Sequence, residues 1–108
     1  MNSAYTVPNV GIGAARDYLM QQFQAIASRS QGRFQMIPHT FPVSWEGVDS
    51  TAENVVGFLS GRETGAGVIL IGAHYDSISY SGGISDGNAY APAANDNGSG
   101  VATILEVA

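Results

Sequence analysis

The chain has 108 residues, 44% of them hydrophobic and 12% charged, which fits one domain or part of one and is too apolar for a disordered segment. Its four basic residues are all arginine and its net charge is −5, so neither nucleic acid nor an anionic membrane would find a basic patch on it. Cysteine is absent, which removes disulfides, thiolate metal sites and cysteine nucleophiles.

The opening MNSAYTVPNV has neither a basic n-region nor an apolar h-region. No run approaches the ~18 apolar residues of a membrane span, so no signal or membrane helix is expected within these residues. Ile12, Ala15, Leu19, Phe23 and Ile26 then recur at spacings of 3, 4, 4 and 3, predicting an amphipathic helix over about residues 10–28. Asn9 is its candidate N-cap and Ser30 to Gly32 its exit. FQMIPHTFPV, residues 34–43, is rich in aromatic and branched residues, but Pro38 and Pro42 confine it to a sheet edge. NVVGFLSG from Asn54 predicts a second strand, and RETGAG, residues 62–67, a turn into VILIGAH, residues 68–74. These last two strands are expected to pair. The third is apolar on both faces, as a central strand covered by helices on each side would be, and so implies a layered α/β architecture. Residues 77–100 form a long Gly-, Ser- and Asn-rich loop of the kind that carries function. A final helix follows, with Val101, Ile104, Leu105 and Ala108 on its apolar stripe and no terminating Gly, Asn or Pro, so the chain is expected to stop inside a helix.

The chemistry concentrates in two places. His74 and Asp76 stand at i and i+2 at the carboxyl end of the third strand, so continued strand geometry points both to one side, at the end of an open α/β sheet where ligands bind. In one reading His74 ligates a metal through one nitrogen while Asp76 accepts from the other and fixes its orientation; in the other, the two are a surface histidine and a solvated carboxylate. AANDNGSG places Asp96 in a polar loop just before a helix N-terminus, where a carboxylate can bridge cations. The competing reading is a capping loop in which Asp96, Asn97 or Ser99 serves first-turn N–H groups, and the two roles can coexist. A P-loop needs a lysine the chain lacks, and no segment has the alternating acidic positions of an EF-hand. Ser77, His74 and Asp76 are too close in sequence to act in series as a hydrolytic triad. His39, between Pro38 and Thr40, is expected to be an exposed or rim histidine, and the Asn97-Gly98-Ser99 sequon a poor glycosylation acceptor.

In order, NVVGFLSG, VILIGAHYDS and APAANDNGSGVATILEVA, together with the helix GIGAARDYLMQQF, resemble the amino-terminal half of the catalytic domain of zinc aminopeptidases of the M28 family. The resemblance implies a mixed β-sheet flanked by helices, a zinc-exopeptidase-like fold of the phosphorylase/hydrolase type, of which residues 1–108 would be an incomplete amino-terminal piece. It implies two zinc ions ~3.5–4 Å apart, with His74 ligating one, Asp96 bridging both and Asp76 orienting His74. A cis Asp96–Asn97 peptide and a peptide substrate are implied with them.

Two departures stand out. Ala93 occupies a position where these peptidases commonly have glycine, which would strain the turn. The family's adjacent glutamates (one general base, one ligand), a further aspartate and a second histidine ligand have no counterpart here, so this stretch alone is expected to be inactive and, with a sheet edge and helix faces uncovered, to self-associate. Two rivals share the fold: a glutaminyl cyclase-like enzyme, which the ANDNGSG loop fits less well, and a non-catalytic binding module, which would be expected to have lost His74 and Asp96.

Overall fold

The computed structural model describes residues 11–78 and 90–108. The expected N-cap Asn9 and the middle of the long loop, residues 79–89, lie outside the described residues. Helix α1 spans Gly11–Arg29 and buries Gly13, Leu19 and Phe23, the face set by the apolar spacing. Its exit is organised by Ser30. The Ser30 hydroxyl donates to the Ala27 carbonyl at 2.8 Å and accepts from the Phe34 N–H at 3.0 Å, while Gln31 and Gly32 turn the chain through positive φ.

Strands β1 (Phe34–Trp45) and β2 (Val48–Leu59) form an antiparallel hairpin of 12 residues per strand. The connection is the two-residue turn Glu46-Gly47, with φ of 49° and 77°. Positive φ at both positions marks the type I′ turn, whose twist matches that of the flanking strands. The register pairs Trp45 with Val48, Phe41 with Ala52 and Phe34 with Leu59. Because hydrogen-bonded and non-hydrogen-bonded pairs alternate outward from the turn, Pro38 and Pro42 fall where the backbone nitrogen points away from β2. They cost the hairpin no hydrogen bond, and they prevent a further strand from adding to that edge of β1.

One face of the hairpin packs on α1. Phe34 is 5% exposed and meets Phe23 edge-on, with ring centroids 5.5 Å apart and planes at 66°, a pairing that adds ~0.5–1.5 kcal/mol to the burial itself. The opposite face carries Ile37, Trp45, Val48, Val56 and Phe58 exposed.

The expectation that NVVGFL pairs with VILIGAH is not met. NVVGFL belongs to β2 and pairs with β1, whereas Val68, Ile69 and Leu70 are 84%, 91% and 89% exposed and join no ladder among the described residues. The physical reason is that apolar content on both faces marks a segment for burial between layers without naming its neighbour, which long-range register decides. The described architecture is therefore α/β with a two-stranded antiparallel sheet.

Helix α2 spans Ser99–Val107, and its last turn is closed by Ala108 N–H donating to the Ile104 carbonyl at 3.0 Å. Val101, Ile104, Leu105 and Ala108, the expected stripe, are its half-buried positions apart from Gly100 near its start. Among the described residues no helix is long and apolar enough to cross a membrane.

Candidate metal centre

The site is assembled by the alternation within His74-Tyr75-Asp76-Ser77. The odd and even side chains of an extended segment point to opposite sides, and here each side has its own task. Tyr75 donates its hydroxyl to the Glu53 carbonyl of β2, and Ser77 donates its hydroxyl to the Ala91 carbonyl at 3.0 Å. These two bonds tie the segment to the hairpin and to the stretch leading into α2. His74 and Asp76 are left on the other side, as the i, i+2 spacing predicts.

The stretch before α2 is a tight irregular turn, Ala94–Gly98, in which Asp96 (φ −119°, ψ 86°) and Asn97 (φ −133°, ψ 43°) leave helical geometry. The Asp96–Asn97 peptide is cis, as the resemblance implies. Ala93 adopts φ 49°, ψ 31°, the left-handed region that costs an L-residue roughly 1–2 kcal/mol, so the departure from glycine there does fall on a strained position. Gly98 N–H donates to the Ala93 carbonyl at 2.9 Å and closes the turn.

Service to the first turn of α2 falls to Asn97 rather than to Asp96. Asn97 Oδ1, one residue before the N-cap Gly98, accepts from Gly100 N–H in the first turn of α2 at 3.2 Å, satisfying a donor that has no partner within the helix. With Asn97 in that role, the Asp96 carboxylate is 88% exposed and turned to His74, its Oδ1 standing 3.0 Å from His74 Nε2. On the other side of the ring, His74 Nδ1 lies 3.1 Å from Asp76 Oδ1 and 3.2 Å from the Asp76 carbonyl oxygen. The three side chains line a concavity of about 510 Å³, with Ile78, Tyr90 and Pro92 on its apolar side.

This arrangement gives an imidazole an acceptor at both nitrogens. Nδ1 faces two acceptor oxygens of Asp76, so it carries a proton. A neutral ring would then turn the Nε2 lone pair toward a carboxylate oxygen, which is repulsive unless a cation stands between them. In the metal-free chain a second proton can take that place: the hydrogen bond to the Asp76 carbonyl is the largest cause and outweighs desolvation, the next largest, and with the charge and side-chain bond of Asp76 and the charge of Asp96 it raises the His74 pKa above its ordinary value.

The same geometry suits a metal. Imidazole nitrogen and carboxylate oxygen are zinc donors, and two donors on one tetrahedral ion at ~2.1 Å stand ~3.4 Å apart, close to the 3.0 Å between Nε2 and Oδ1. Asp76 occupies the position behind the histidine that fixes the tautomer of a metal-bound ring. Among the described residues no group of three or more His, Asp or Glu side chains converges on one point, so His74 and Asp96 supply two donors, not a full ligand set. His39 is elsewhere, exposed on the hairpin, stacked on Phe41 at 5.6 Å and facing the Asn54 amide at 3.4 Å, as expected of a rim histidine. Sequence reasoning did not single out Tyr75 and Ser77 as the side chains that hold the site in place; the signal was the alternation itself.

A family model described as Peptidase family M28 matches residues 54–108, which include both motifs. Among curated proteins, the chain is 36% identical over 112 residues to a probable zinc metalloprotease of Pyricularia oryzae, covering 98% of this chain and 21% of that protein. A probable zinc metalloprotease of Pyrenophora teres f. teres is 37% identical over 117 residues, covering 98% and 23%. One of Leptosphaeria maculans is 34% identical over 101 residues, covering 91% and 23%. The chain thus spans about a fifth to a quarter of the length of the curated relatives it matches. No solved structure matches it.

Proposed function

This chain belongs to peptidase family M28, and we propose that the whole protein is a zinc-dependent aminopeptidase that removes amino-terminal residues from peptides. The observation that carries the reading is the doubly accepted His74 ring, whose Nε2 and Asp96 Oδ1 face each other at 3.0 Å across a position that requires a cation. The names of the relatives, zinc metalloproteases, support zinc as that cation.

In this reading His74 Nε2 and the Asp96 carboxylate hold zinc, and Asp96 uses its two oxygens to serve two ions. Asp76 keeps the Nδ1 proton in place, so the ring presents its basic nitrogen to the metal, and Asp96 stays available because Asn97 takes the cap of α2. When bound, zinc supplies Lewis acidity that polarises a peptide carbonyl and acidifies water. Ile78, Tyr90 and Pro92 line the same concavity and offer apolar surface to a substrate side chain. We assign the general base and the remaining ligands to residues outside this chain, and residues 1–108 to the amino-terminal part of one catalytic domain. There, 68–73 would be a central strand of a mixed sheet flanked by helices.

The test is turnover by the whole protein of an aminoacyl chromogenic amide, abolished by a chelator and restored by zinc. Cyclisation of an amino-terminal glutamine in place of that hydrolysis would replace the reading with a cyclase. The absence of both, with no zinc uptake, would leave a non-catalytic module.

A further inference from the structure

The Asp96 carboxylate is the most exposed of the three site side chains, yet it stands at a defined distance from His74. What holds it lies on either side of it in the chain. The Asn95 carbonyl accepts from the Ser99 hydroxyl at 3.0 Å, and the Ala93 carbonyl accepts from Gly98 N–H at 2.9 Å. The Asn97 side chain is fastened to the first turn of α2 through Gly100 N–H. The fit at that last bond is close. A Cβ placed on Gly100 would come within 2.6 Å of Asn97 Oδ1 and 2.8 Å of Asn97 Nδ2, both below the ~3.5 Å of ordinary contact, so the amide lies directly against a bare backbone.

We infer that Asn97 is a positioning residue for the metal centre: its side-chain bond to Gly100 fixes the Asp96 carboxylate opposite His74, so that the strength of this helix cap sets the affinity of the site for zinc. The inference rests on the zinc reading above. Asn97 does not touch the metal; it acts through the backbone it shares with Asp96. Because the two residues are adjacent, a rotation of the Asn97 backbone is transmitted to the direction of the Asp96 side chain, and an exposed carboxylate has little packing with which to resist it. Gly100 belongs to the same device, since any side chain there displaces the amide.

The experiment is a competition titration of zinc into the whole protein and its Asn97→Ala, Asn97→Asp and Gly100→Ala variants. Cobalt(II) absorption spectra and the urea midpoint of the metal-free form are recorded alongside. Asn97→Ala is expected to weaken zinc binding by about tenfold, the low end for groups that orient metal ligands, and to shift the cobalt bands. Gly100→Ala should do the same. Asn97→Asp keeps the acceptor oxygen and should recover both readouts. Zinc affinity and cobalt bands unchanged in Asn97→Ala, with only the urea midpoint lowered, would reduce Asn97 to a structural cap and overturn the inference, as would equal losses in the Ala and Asp variants. If Asn97→Ala does not fold, Gly100→Ala against the wild type decides in the same way. A wild-type protein that takes up no zinc overturns the proposed function and this inference with it, whereas uptake indifferent to Asn97 and Gly100 overturns this inference alone.

Discussion

Gly57→Ala puts the hairpin's packing on α1 to the sharpest test. Gly57 lies on the face of β2 that meets the helix, and a Cβ there would sit 2.3 Å from Phe34 Cζ, 2.9 Å from Cε2 and 3.3 Å from Cε1. Contact between carbons is comfortable at ~3.5–4.0 Å, so the ring must retreat by more than an ångström. It has nowhere to go without leaving Phe23, since Phe34 is 5% exposed and already edge-on to that ring. Forcing a methyl into a packed site costs ~1–3 kcal/mol, and a ring displacement of this size belongs to the upper half of that range, while replacing glycine returns ~0.4–1 kcal/mol of unfolded-state entropy, leaving a net loss of about 1–2.6 kcal/mol. Urea unfolding followed by circular dichroism would show it as a lower midpoint at unchanged slope. A Gly57→Ala midpoint equal to that of the wild type, or above it, would refute the packing described between β2, Phe34 and α1.

Ala93→Gly should stabilise the turn before α2 by about 1 kcal/mol, because it removes the left-handed penalty at φ 49°; an unchanged or lower unfolding midpoint would contradict this. In the metal-free protein His74 should titrate above the ordinary histidine value, read by NMR as a pH titration of its ring protons. Since the folded pKa is the higher one, the associated stabilisation is present below the unfolded pKa and disappears as the pH rises through the folded one, and it is small because the ring is half exposed. Asp76→Ala should lower this pKa only in part, because the largest cause is the backbone carbonyl of residue 76, which the substitution keeps. Zinc affinity should fall as the pH drops below the His74 pKa, because the ligand must be deprotonated; a pH-independent affinity would exclude the histidine. Ser77→Ala removes the bond to the Ala91 carbonyl and should weaken zinc binding while costing only ~0.5–1.5 kcal/mol of stability; loss of stability without loss of zinc would show that the two motifs are held together by other contacts.

The site was more legible than the sheet. His74, Asp76 and Asp96 lie where a period-2 strand end and a polar pre-helix loop put them, because both signals are local: two residues of alternation and one capping turn. The strain at Ala93 was visible as an alanine in a glycine position. The hairpin was harder to see. Its turn is Glu46-Gly47, with glutamate at a positive-φ position that usually takes Asn, Asp or Gly, and the stretch SWEGVDSTAE around it is polar enough to hide the strand period. β1 and β2 therefore run beyond the 34–43 segment and the Asn54 start that their apolar residues suggested. The pairing of residues 68–74 was misjudged for a different reason. Apolar content says that a strand is to be buried, not beside what, and the neighbour is decided by long-range register that no local pattern encodes. That Asn97 rather than Asp96 serves the first turn of α2 needed coordinates, since either residue type can do so.

Whether His74 and Asp96 jointly hold zinc is decided by the zinc content of the whole protein, measured by elemental analysis after exhaustive dialysis beside its His74→Ala and Asp96→Ala variants. Bound zinc is expected in the wild type, with Asp96→Ala losing more than His74→Ala if the carboxylate serves two ions as proposed. A wild-type protein free of zinc, or variants that keep the full wild-type content, would contradict that joint role.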